Sequence, residues 1–220
     1  MLAVAVATCG LAIAPTSGWR ASAVPGECPP ICDAIPDSAW TDPTNIPLYG
    51  VYRWPGLARL SVTAPSPRFG FEALCGSPPI ANDARAYAVA ARSVVLQPKG
   101  QWNLLVQVVH WRGDIATGGA TALVTLETAR ARLRDCQSTS AEKSPSITTN
   151  DPQRIGAVIS DAGEQVMHEY LLADPDSSTI VELAMWSSLP QQVTWPAVAD
   201  AQVLDAMAAP LCNAYIGSCR

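Results

Sequence analysis

The sequence predicts an α+β fold: a largely antiparallel sheet with two main helices on one face and a Pro-rich, disulfide-tied N-terminal segment. Three observations predict it. From residue 86 onward, alternating apolar and polar residues are broken by hairpin turn signals. Two later segments each carry a single apolar stripe at helical spacing. Six of the seven cysteines (Cys28, Cys32, Cys75, Cys136, Cys212 and Cys219) follow a candidate export signal, the pattern of a disulfide-stapled domain in an oxidising compartment.

The chain opens on an almost wholly apolar run, Leu2 to Ala14, the length of a signal-peptide core and short for a bilayer span. Pro15, Ser17 and Gly18 break it, and Ala21-Ser22-Ala23 presents the small residues a signal peptidase needs. Residues 1–23 therefore read as a signal peptide, with Val24 as the mature N-terminus. Val6-Ala7-Thr8-Cys9 also has the outline of a lipoprotein box, in which Cys9 would carry a lipid. Thr8 is a poor residue at that position, so export without an anchor is the favoured expectation. The alternative to export is a buried N-terminal helix.

Residues 24–220 are expected to form one domain, large enough for a sizeable core. Removing residues 1–23 takes away Arg20 and no acid, so 13 basic and 19 acidic residues remain and the formal charge is −6. That balance argues against nucleic acid or an anionic membrane surface as partner. No second apolar run approaches the length of a transmembrane helix.

Residues 24–80 are loop-rich. Eleven prolines from Pro25 to Pro79 exclude long helices there. Short pieces at residues 59–63 and 68–73 could pair as strands, and Cys28, Cys32 and Cys75 tie the segment. Residues 81–220 hold the sheet and helices. Tyr87–Leu96 and Trp102–Trp111 read as strands joined by the turn Gln97-Pro98-Lys99-Gly100. Trp102, Leu104, Val106 and Val108 share one face of the second strand, with Asn103 and Gln107 on the other, which suits a sheet covered on one side. Residues 112–119 read as a loop and 120–137 as a helix with the stripe Ala122, Leu126, Ala129, Leu133 and Cys136. Residues 138–152 read as a polar linker. Residues 154–160 form a strand. Residues 165–173 and 179–187 form a hairpin about Asp174-Pro175-Asp176-Ser177-Ser178. The last helix spans about 197–215, with the stripe Ala201, Leu204, Ala208, Leu211 and Tyr215 and a kink or restart at Pro210.

The order strand–helix–hairpin–helix, with one cysteine ending the middle helix (Arg134-Asp135-Cys136) and one in the last (Leu211-Cys212-Asn213), resembles the secreted and lipoprotein sensor-like domains of mycobacteria, typified by the extracellular domain of the kinase PknH. The resemblance covers residues 86–216 and is one of architecture and cysteine placement. It implies a disulfide-linked α+β domain that senses a ligand or meets an envelope partner, with a cleft beside the sheet.

No motif in the chain announces chemistry. His110 and His168 are the two histidines, and each shares a strand face with apolar side chains, as a core histidine does. Cys28 and Cys32 are spaced C-x₃-C, which in an exported chain reads as disulfide rather than zinc, so no metal is expected. No nucleophile elbow or metalloprotease motif occurs, and no cofactor is implied. Residues 112–120 lead from strand to helix with Gly118-Gly119, yet lack the Lys and Ser/Thr of a phosphate loop. Arg112-Gly113-Asp114 spells an adhesion tripeptide that arises often by chance. Trp111 and Trp186 fall out of phase with the apolar faces of their strands, so they line a groove or cover the second face of the sheet.

The expected function is an exported, non-catalytic domain of the cell envelope or extracellular space that binds a ligand or protein. The alternative is a secreted hydrolase whose site the sequence does not reveal. The candidate ligand-binding residues are Trp111, Arg112 and Asp114, at the strand end leading into the middle helix. Three disulfides are expected. Cys136–Cys212 is the best single pair, Cys75 joins Cys28 or Cys32, and Cys219 takes the one left over.

Overall fold

The computed structural model describes residues 34–215. The expected signal peptide, with Cys9, and the cysteines Cys28, Cys32 and Cys219 lie outside the described residues.

Seven strands form one sheet: β1 (Val62–Thr63), β2 (Val89–Val95), β3 (Asn103–His110), β4 (Lys143–Asp151), β5 (Arg154–Asp161), β6 (Gln165–Asp174) and β7 (Thr179–Ser188). Their spatial order is β1-β2-β3-β7-β6-β5-β4, and every neighbouring pair is antiparallel. Among the described residues four α-helices accompany them: α1 (Tyr49–Tyr52), α2 (Gly70–Leu74), α3 (Ile115–Thr139) and α4 (Asp200–Ala214). The expected α+β class and antiparallel sheet are what the chain forms. Helix α3 carries the chain from β3 to the far edge. Three consecutive hairpins then walk back until β7 pairs with β3.

The expectation that both long helices share one face is corrected. Trp102, Leu104, Val106 and Val108 of β3 pack with Val203, Leu204, Met207 and Leu211 of α4 and with Trp40, Ile46, Trp54 and Leu57 of the loop-rich segment. Val109 lies on the other side with Ala122, Leu126, Ala129, Leu133 and Cys136 of α3 and with Phe69, Phe71 and Cys75. The helices therefore sandwich the sheet. A single apolar stripe requires a helix to cover something, but it carries no information about which face. The face of β3 that reads as polar is covered too: Gln107 is buried and Asn103 half-buried.

The same fact corrects the disulfide scheme. Cys75, at the C-terminal end of α2, bonds to Cys136 of α3, with Cα atoms 5.0 Å apart. A Cys136–Cys212 bond would have to cross the sheet. Cys212 is also disulfide-bonded, and its pairing lies outside the described residues.

Residues 143–151 are a strand, not a linker. Their polar side chains alternate between half-buried and exposed, as befits the edge of the sheet, where Pro145 is also tolerated. Residues 70–74 are helical rather than extended, and β1 is only two residues long. Helix α4 runs through Pro210 without a break.

The start of α3 explains its glycines. Asp114 caps it, accepting from the Thr117 N–H at 2.8 Å. A Cβ on Gly118 would lie 2.5 Å from Ser178 Oγ, and one on Gly119 would lie 2.3 Å from the Pro175 carbonyl oxygen. Gly118-Gly119 lets the helix approach the β6–β7 turn; it is not an anion cradle.

Candidate ligand groove

Helix α2 sits on the α3 face of the sheet, held by charge. The Glu72 carboxylate accepts from the Phe69 N–H at 2.8 Å and receives Arg85 at 2.6 and 3.1 Å and Arg132 at 3.0 Å. Asp83 binds the other edge of Arg85 at 2.6 Å, and the guanidinium lies over the Phe69 ring, 4.7 Å from its centroid. Glu72 and Arg85 are 1 % and 2 % exposed, so each depends on the other for its solvation.

Beneath α2 a polar row crosses the sheet. Arg92, Gln107 and Glu182 are register partners on β2, β3 and β7. Gln107 accepts from Arg92 at 2.8 and 3.0 Å and donates to Glu182 at 3.1 Å. The Gly70 N–H donates to the same carboxyl. Glu169, on β6, completes the row. A Cβ on Gly70 would lie 3.3 Å from Glu182 Oε1 and 3.8 Å from Glu169 Oε2.

The two glutamates are fully buried. As a carboxylate, Glu169 has no donor to accept from. Its contact with Glu182 is a hydrogen bond only when a proton lies between them. Burial, then the neighbouring charges of Glu182 and Glu72, push the Glu169 carboxyl well above the usual range. Burial also raises Glu182, to about 7, against the opposing Gly70 N–H.

A pH dependence follows, with a definite sign. A carboxyl with a raised folded pKa contributes stability that is full below about pH 4.5 and is lost as pH rises through about 7. The shift in Glu182 is worth roughly 3 kcal/mol. His168, stacked 3.7 Å from Trp195 and lowered to about 4 by burial, acts oppositely: its contribution is present above pH 6.5 and lost as pH falls to about 4. The two slopes offset each other between pH 4.5 and 6.5. Glu169→Gln supplies a permanent donor to Glu182. It is expected to raise stability in urea at pH 8 and to flatten the fall from pH 6.5 to 8. Parallel curves for variant and wild type would show that the pair holds no proton.

Beside this row, α3 leaves part of the sheet uncovered. Leu105, Met167 and Trp186 floor a cavity of about 340 Å³, roofed by Ala73 and Leu74 of α2 and walled by Arg68, Phe69, Gly70, Arg92 and Gln165. Its size and apolar lining suit a small ligand.

The expected site residues are placed elsewhere. Trp111 is buried in the α3-side core, its indole N–H donating to the Ala84 carbonyl at 3.0 Å. Asp114 is the α3 cap, and Arg112 is exposed on the intervening loop. None of the three lines this groove. His110 stacks on Tyr215, with 4.5 Å between ring centroids, and its Nδ1 lies 3.0 Å from Thr179 Oγ1. Both histidines serve packing. Trp186 is the residue of the out-of-phase pair that does reach a groove. Glu169 and Glu182 escaped notice as a pair, although each interrupts an apolar run within one predicted hairpin. Their register offset of two places them diagonally on one face. No protein-family model and no curated protein matches the chain.

Proposed function

We propose that this protein is an exported, non-catalytic domain of the cell envelope or extracellular space that holds a small apolar ligand in the groove beneath α2. The observation that carries this reading is the groove itself. Its floor and roof are Leu105, Met167, Trp186, Ala73 and Leu74, and no His, Cys, Ser, Thr, Tyr, Lys, Asp or Glu lines it. A general base or nucleophile would have to come from that set.

Export is supported by the Cys75–Cys136 bond, by the bonded state of Cys212 and by the Ala21-Ser22-Ala23 segment. No helix among the described residues is long and apolar enough to cross a membrane. The likeness to mycobacterial sensor-like domains belongs to the same proposal. The secreted-hydrolase reading has one observation in its favour: Glu169 and Glu182 form a proton-sharing pair of the type used in acid–base catalysis. Both are sealed from the groove, so binding is the better reading.

The test uses the neutral fluorophore N-phenyl-1-naphthylamine as the groove probe. Wild type is expected to enhance its fluorescence on binding. Ala73→Trp, which puts an indole into the groove from the exposed roof helix, is expected to weaken binding at least about tenfold while leaving the circular dichroism unchanged. Equal binding by both proteins would remove the groove as the site. Ester turnover abolished by Glu169→Gln in a folded protein would favour the hydrolase.

A further inference from the structure

Two arginines stand out in a chain of net charge −5. Of the described cations not fully exposed to solvent, Arg85, Arg130, Arg132, Lys143 and Arg154 each hold a carboxylate. Arg68 and Arg92 do not. Arg68 donates to the Ser77 carbonyl at 2.5 Å. Arg92 donates to Gln107 and to the Arg68 carbonyl at 3.0 Å. These neutral acceptors orient both guanidiniums; Glu182 acts on Arg92 only from beyond Gln107, and no carboxylate among the described residues pairs directly with either arginine. Half-burying a cation without an anion is unfavourable unless something supplies one.

Their position indicates what that is. Arg68 and Arg92 line the apolar groove, and they also line a second recess of about 330 Å³ walled by Val62, Thr63, Ala64, Pro65 and Ser66. They are the residues common to both cavities, so they stand where the apolar groove opens outward. A ligand lying on Leu105, Met167 and Trp186 would bring one end to the two guanidiniums.

We propose that the ligand is an amphiphile with a single anionic head: its hydrocarbon body occupies the groove and its carboxylate or phosphate is held by Arg68 and Arg92. A planar guanidinium pairs with either head group through charge-assisted hydrogen bonds. Gln107 fixes Arg92 from behind, so the head meets a preoriented donor. This inference rests on the groove being the binding site, and it adds the charge of the ligand.

The experiment compares three probes of equal chain length on the folded, oxidised protein: dodecanoate, dodecyl phosphate and 1-dodecanol, each displacing N-phenyl-1-naphthylamine. At low salt the preferred anion is expected to bind at least about tenfold tighter than the alcohol. That advantage is expected to shrink with added salt and to vanish in Arg68→Gln/Arg92→Gln. A preference for dodecanoate identifies a fatty-acid type of ligand, and a preference for dodecyl phosphate a phospholipid type. The wild-type comparison stands even if the double variant misfolds. Equal binding of all three probes overturns the anionic head and leaves the groove reading intact. Binding of none overturns both.

Discussion

Glu72→Ala is expected to destabilise the protein by about 3–5 kcal/mol, the cost of leaving a buried charge without its partner. The reason is the placement of Arg85. Its guanidinium is 2 % exposed and is clamped between Glu72 and Asp83. Asp83 is itself 22 % exposed and meets the other edge of the fork, so it does not replace Glu72. The substitution also removes the acceptor of the Phe69 N–H and one partner of Arg132. Chemical denaturation should show the loss as a lower midpoint with little change in slope. Glu72→Gln keeps the shape and an acceptor for Phe69 and is expected to cost less than the alanine. If the alanine variant loses less than about 1 kcal/mol, Arg85 has been rehydrated and the clamp is a surface feature. Because α2 roofs the groove, N-phenyl-1-naphthylamine binding should fall with the same substitution.

Removing the Cys75–Cys136 bond is expected to cost about 4 kcal/mol in the chain-entropy account, because the bond spans 61 positions. For a domain of this size that corresponds to a fall in Tm on the order of 10 °C. Cys75→Ser/Cys136→Ser is the double variant to measure, under non-reducing conditions that keep the other cysteines oxidised. The two sulfur positions are fully buried, so the comparison with Cys75→Ala/Cys136→Ala separates the lost tie from the burial of hydroxyls. A Tm within about 2 °C of wild type for the alanine pair would mean that packing of α2 on α3 holds without the bond. Peptide mapping without reductant should recover Cys75 and Cys136 in one cross-linked fragment.

Both predictions concern the segment where sequence reasoning was least informative. The hairpins were legible because strand alternation and turn chemistry are local: Asp174 to Ser178 announces the turn, and the residues on either side pair as expected. The stripe of α3 was legible for the same reason, and all five of its residues are buried. In α4 the stripe was placed partly off the core. Val203 and Met207 are buried there, whereas Ala201 is exposed and Ala208 and Tyr215 are half-buried. Strand β4 was missed because an edge strand needs no apolar face, so its composition is that of a linker. The groove was not legible at all. Its lining comes from residues 68–70, 73, 74, 92, 105, 165, 167 and 186, and no local pattern links them.

By itself the sequence determined the class of the fold, the antiparallel hairpins and the buried stripe of α3. All depend on the period at which apolar side chains recur along a few neighbouring residues. Only the tertiary structure decided that α3 and α4 lie on opposite faces, that Cys75 rather than Cys212 meets Cys136, and that Glu169 and Glu182 share a buried site under Gly70. Each of these depends on which surfaces meet after the chain has crossed the sheet. A stripe, a cysteine or a glutamate is compatible with either face until the packing chooses one.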